Sequence, residues 1–139
     1  MSEPLPVFVL DSFALLAYFR AEPGGELVRG LLRQARNQAA HLCMSLINVG
    51  EVYYLMRKER DIDRAEEMLG GVRTMPISLV SVSEERIFAA ARLKGEYPIS
   101  YADAFAAGLA GELGATLVTG DPEFKALETR IRILWLPQK

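Results

Sequence analysis

Short apolar runs alternate along this chain with longer stretches in which apolar residues recur every three or four positions. The first run, Val7-Phe8-Val9-Leu10, follows Pro6 and is too short for a helix; it reads as a strand buried on both faces that ends in Asp11. Ser12 to Phe19 reads as a helix, so Asp11 stands where a strand hands over to a helix. Glu22-Pro23-Gly24-Gly25 breaks the pattern. Leu27, Val28, Leu31, Leu32 and Ala35 then mark a second helix, with Arg29, Arg33 and Arg36 on its wet side. His41-Leu42-Cys43-Met44 is the next short apolar run, and Ser45 is a good N-cap for a helix from Leu46 to about Arg60. Asp61-Ile62-Asp63 starts a shorter helix that Gly70-Gly71 should stop. Pro76 to Ser81 reads as a strand or an extended connection, and Ser83 with Glu84 and Glu85 opens a helix through Lys94 that should stop at Gly95. Tyr97 to Ser100 is a loop, Tyr101 to Leu113 an alanine-rich helix ended by Gly114, Ala115 to Thr119 a strand, and Ile131 to Trp135 the last strand. Strands alternating with helices predict an α/β fold: one domain over residues 1–139, a mainly parallel sheet of about four or five strands, and helices on both faces.

Composition narrows the chemistry. Half of the 139 residues are hydrophobic, enough for one sizeable core. No apolar segment reaches membrane-spanning length, and the N-terminal residues carry no signal pattern, so a cytoplasmic protein is expected. A single cysteine, Cys43, and a single histidine, His41, exclude an internal disulfide and a thiolate or imidazole metal cage. Any metal must be held by oxygen. His41 and Cys43 are two apart on one strand; a thiol nucleophile with its base is conceivable there, against the plainer reading of two residues facing the core. A net charge of −2 offers no global attraction for nucleic acid.

Four carboxylates need explaining. Asp11 ends the first strand and could cap the helix after it. Asp121 precedes Pro122 and could cap a turn. Asp103 stands three residues after Ser100, the spacing of a capping box. Glu51 differs, because it interrupts an apolar stripe with Ile47, Tyr54 and Leu55 one helical turn away, too deep in its helix to cap the end. It needs an arginine partner, a proton or a functional role, and Asn48 points an amide the same way. In a parallel sheet the ends of the first and fourth strands share an edge with the starts of the following helices, so the acids could converge. Four charges about 5 Å apart make six pairs that each repel by roughly 3 kcal/mol at an effective dielectric near 20, which demands a cation or protons. Mg²⁺ or Mn²⁺ suits such ligands. Taking four of the 18 acids away leaves 14 against 16 basic residues, and the objection to nucleic acid weakens.

The order of Val9-Leu10-Asp11-Ser12, Asn48-Val49-Gly50-Glu51-Val52, Tyr101-Ala102-Asp103-Ala104 and Val118-Thr119-Gly120-Asp121-Pro122-Glu123-Phe124 resembles the PIN domain. It is most similar to the VapC-like toxin ribonucleases of toxin–antitoxin pairs, from Val7 to Leu136. The resemblance implies a single PIN-like domain whose Asp11, Glu51, Asp103 and Asp121 form an acidic metal pocket. Thr119 would lie beside it, Asn48 and Ser12 would support it, and Phe124 would pack under the turn that aims Asp121. It further implies endonucleolytic hydrolysis of RNA with one or two Mg²⁺ or Mn²⁺ ions, a homodimer, and a small antitoxin protein as partner. Two other readings compete. A catalytically silent PIN-like module would keep the acids for stability or docking. A response-regulator receiver would need paired acids at the first strand and a late lysine, and Leu10-Asp11-Ser12 and Thr119-Gly120-Asp121 have neither. Arg57, Lys58, Arg60, Arg92, Lys94 and Lys125 read as solvated helix faces, and Leu16, Phe19, Tyr53 and Met56 as core rather than interface.

Overall fold

The structure is a computed structural model that describes residues 4–137. Five parallel strands, β1 (Val7–Leu10), β2 (His41–Ser45), β3 (Ser78–Val80), β4 (Thr116–Thr119) and β5 (Ile133–Trp135), form one sheet in the order β3-β2-β1-β4-β5. The chain steps outward from β1 to one edge, then returns to the other side of β1 and steps outward again. That reversal makes a crevice beyond the carboxyl ends of β1 and β4, where α/β sheets bind ligands. Register puts Leu10 opposite Val118, so Asp11 and Thr119 follow side by side.

Six α-helices cover the faces: α1 (Ser12–Phe19), α2 (Gly25–Arg36), α3 (Leu46–Lys58), α4 (Ile62–Thr74), α5 (Glu84–Glu96) and α6 (Tyr101–Leu113). Strand alternation splits the core in two. Leu10, Leu42, Met44 and Val118 face one layer with Leu15, Leu31, Val52, Met68 and Val72 from α1 to α4. Val9 and Leu117 face the other with Ala90, Phe105, Leu109, Phe124 and Leu127. Met56 is buried, and Leu16, Phe19 and Tyr53 pack half-buried on the first layer, so these four serve the core. Cys43 packs on the second layer and burial pushes its thiol up, away from an activated thiolate, while His41 is exposed.

Two helix ends differ from the sequence expectation. Helix α4 runs through Gly70-Gly71 to Thr74, because Ala65, Met68 and Val72 continue one buried stripe and the Phe19 ring lies 3.8 Å from where a Gly71 Cβ would be. Packing outweighs the roughly 1 kcal/mol that each glycine costs a helix. Helix α5 likewise passes Gly95 to Glu96. Gly114 does end α6, in the left-handed region at φ 59°. Among the described residues no helix is long and apolar enough to cross a membrane.

Candidate active site

Asp11 is 1% exposed at the carboxyl end of β1. Its Oδ1 accepts the Ala14 amide at 2.9 Å, so it caps α1 as the sequence allowed. Its other oxygen is free of that duty and accepts the Thr119 hydroxyl. Thr119 Oγ1 in turn accepts the Asp121 amide at 3.0 Å, so one hydroxyl ties the two strand ends together. Burial raises the Asp11 carboxyl from 3.8 to about 7; the bonds from Thr119 and Ala14 oppose this, and the nearby Asp121 and Glu51 carboxylates add to it.

Glu51 comes to the same crevice from α3. It accepts the Ser12 hydroxyl from the first turn of α1, and no cation pairs with it among the described residues. Asn48, fully buried one turn earlier, donates through Nδ2 to Ser12 Oγ at 3.3 Å and to the Ala102 carbonyl at 3.0 Å. A polar chain from α6 through α3 to α1 therefore holds Glu51. Asn48 Oδ1 is buried without a protein partner.

The third approach is from α6 and the segment after β4. Asp103 sits in the first turn of α6, 7% exposed. Asp121 caps a 3-10 helix (Pro122–Leu127), its Oδ1 accepting the Glu123 amide at 2.9 Å. Carboxylate oxygens of Asp103, Asp121 and Glu123 lie within 4.8 Å of one another, a group that could hold a metal ion. The Asp103 carboxyl is raised to about 8, first by burial, then by the Asp121 charge, a hydrogen bond with Glu123, the Asp11 charge and a hydrogen bond with Asp121. Beneath the turn Phe124 is fully buried. Gly120 lies against the Phe13 ring so closely that a Cβ there would stand 2.3 Å from Cε1.

All four acids singled out from the sequence face one crevice, with Ser12, Asn48 and Thr119 bonded among them. The tightest oxygen group is not that quartet, however: Glu123 joins Asp103 and Asp121, while Asp11 and Glu51 stand back from it. Sequence reasoning missed Glu123. Its one signal was a second acid two residues after Asp121 in a proline-started turn. The donors are all hard oxygens and two of the carboxyls resist ionising alone, which fits Mg²⁺ or Mn²⁺.

The family model described as PIN domain matches residues 8–129. Among solved structures, the chain is similar to VapBC2 from Rickettsia felis bound to a DNA fragment from its promoter, with a TM-score of 0.75 at 19% identity over 94% of this chain and 99% of that one. DNA-bound VapBC from Salmonella typhimurium gives 0.73 at 23% identity over 94% and 98%. VapC20 of Mycobacterium tuberculosis, described as a sarcin-ricin loop cleaving toxin, gives 0.70 at 15% identity over 86% and 93%. No curated protein matches the sequence. At these identities the solved structures establish the fold.

Proposed function

Because the chain belongs to the PIN-domain family, we propose that it is a metal-dependent endoribonuclease, the toxin of a toxin–antitoxin pair, with the crevice beyond β1 and β4 as its active site. One observation carries this reading: Asp11, Asp103 and Asp121 converge at the sheet's switch point, where Asp11 is held up to about 7 and Asp103 to about 8. Such a pocket is built for negative charge that it does not hold alone.

Asp103 and Asp121 would hold one Mg²⁺ or Mn²⁺ with Glu123 beside them, and Asp11 and Glu51 would line the same site. The ion supplies Lewis acidity toward water and toward a phosphodiester of RNA. The chain's own groups do the rest. Thr119 aims the outer oxygen of Asp11 and, through the Asp121 amide, the turn that carries Asp121. Ser12 and Asn48 fix Glu51, which in this reading would take a proton from an attacking water. Asp11 and Asp103 release protons when the cation arrives, so binding strengthens as pH rises. Single-stranded or looped RNA would present its backbone most readily to this site. The fold shared with chains crystallised as toxin–antitoxin complexes supports a small antitoxin partner, and the working assembly in this reading is a homodimer.

The test is cleavage of a mixed, structured RNA by the purified chain in Mg²⁺ or Mn²⁺ and in EDTA, with Asp11→Asn and Asp121→Asn prepared alongside. Cleavage in metal only, lost in both variants, is expected. A wild-type chain free of antitoxin that neither cuts in either metal nor binds Mn²⁺ by calorimetry would leave a silent binding module instead.

A further inference from the structure

The cap of α6 is shared between two elements. In a capping box the N-cap hydroxyl accepts the N3 amide, and the N3 carboxylate reaches back to accept the N-cap amide. Ser100 and Asp103 occupy those two positions, and the first half is present: Ser100 Oγ accepts the Asp103 amide at 3.1 Å. The second half comes from elsewhere. Ser100 N–H donates to Glu123 Oε1 at 2.9 Å, across from the 3-10 helix that follows β4. Glu123 is itself held in place, since its amide donates to Asp121 Oδ1 at 2.9 Å.

We propose that Glu123 is a positioning residue for the pocket: by accepting the Ser100 amide it takes over the back-bond of the α6 cap, which leaves the Asp103 carboxyl turned into the crevice beside Asp121. This rests on the reading of that crevice as a metal-binding active site. Asp103 already has its amide bonded to the Ser100 hydroxyl, so its carboxylate is within local reach of the Ser100 N–H. Without Glu123 it folds back onto that donor, the helix keeps a complete cap, and the pocket loses a ligand. What Glu123 supplies is an acceptor oxygen. A glutamine carbonyl supplies the same.

The test is titration of the full chain with Mn²⁺ by calorimetry, for wild type, Glu123→Ala and Glu123→Gln. Thermal midpoints and the hydrogen exchange of the Ser100 amide are read alongside in EDTA. Glu123→Ala should weaken Mn²⁺ binding by about tenfold to a hundredfold, in the range seen when the support of a metal ligand is removed. Its metal-free midpoint should stay near wild type and its Ser100 amide should remain protected, because Asp103 now bonds it. Glu123→Gln should bind Mn²⁺ close to wild type. Equal losses in both variants would make Glu123 a charged ligand and overturn the positioning role. So would unaltered binding by Glu123→Ala, or a large fall in its metal-free midpoint. Failure of wild type to bind Mn²⁺ would instead bring down the active-site reading itself, and this inference with it.

Discussion

In the absence of divalent cations the folded protein should lose stability as pH rises from about 4 to about 8, opposite to the behaviour of a chain held by carboxylate ion pairs. In the unfolded chain Asp11 and Asp103 ionise near 3.8, whereas in the folded chain they keep their protons to about 7 and about 8. Between those limits the folded state binds up to two more protons than the unfolded state, so unfolding becomes easier with each increment of pH. Each group contributes about 1.4 kcal/mol per pH unit, which over the Asp11 window is on the order of 4 kcal/mol. The loss begins above pH 3.8 and is complete above about 8, where the pocket is fully charged. That is a large part of the roughly 5–15 kcal/mol by which a domain of this size is stable. A divalent cation should return much of it, since ligand at a hundred times its Kd adds about 2.7 kcal/mol. The assay is urea unfolding at about pH 5 and about pH 8.5, in EDTA and in Mn²⁺, for wild type and Asp11→Asn. Asparagine keeps an oxygen for the Ala14 amide and removes the charge, so Asp11→Asn should show a shallower pH slope and exceed wild type in stability at the higher pH in EDTA. Metal-free stability that is flat across this window, or an Asp11→Asn slope equal to wild type, would refute the reasoning.

Gly120→Ala should cost about 1–3 kcal/mol in urea unfolding, because the new methyl meets the Phe13 ring at 2.3 Å; Phe13→Leu in the same chain should recover part of it. Phe124→Ala empties a fully buried ring site in the second core layer and should destabilise by about 3–5 kcal/mol, read as a lowered thermal midpoint. Ser12→Ala removes the hydroxyl that Glu51 accepts; RNA cleavage in Mg²⁺ should fall about tenfold or more while the far-ultraviolet dichroism is unchanged, and activity equal to wild type would remove Ser12 from the supporting set.

The alternating pattern of the chain was enough to predict a parallel α/β fold because each layer is written locally, in strands too short and apolar to be anything else and in serine or aspartate caps at the helix starts. Ser45, Ser83 and Ser100 all cap as their positions suggested, accepting amides at 3.2, 3.2 and 3.1 Å. What local signals misjudged was set by contacts across the fold. Gly70-Gly71 looks like a helix stop until Phe19 and the buried face of Val72 are in place. The last strand is shorter than its apolar run, since only Ile133 to Trp135 pair with Leu117 to Thr119. Glu123 escaped notice for the same reason: its decisive partner, the Ser100 amide, is 23 residues away.

Asp11, Asp103 and Asp121 each had a structural explanation in the sequence, and each explanation holds only in part. Asp11 caps α1 with one oxygen and turns the other to Thr119. Asp121 caps the 3-10 helix and contributes an oxygen to the group with Asp103 and Glu123. Asp103 has only the first half of its capping box, because Glu123 has the second. Capping and chemistry are therefore not rival accounts of these acids. A helix start at the carboxyl end of a parallel strand already needs an acceptor there, and a carboxylate has two oxygens and several lone pairs to share. In Asp11 and Asp121 one oxygen fixes the side chain on the backbone, which leaves the side chain ordered at the crevice that the strand order opens. Glu51 has no helix start to serve, and it requires a separate scaffold, supplied by Ser12 and Asn48.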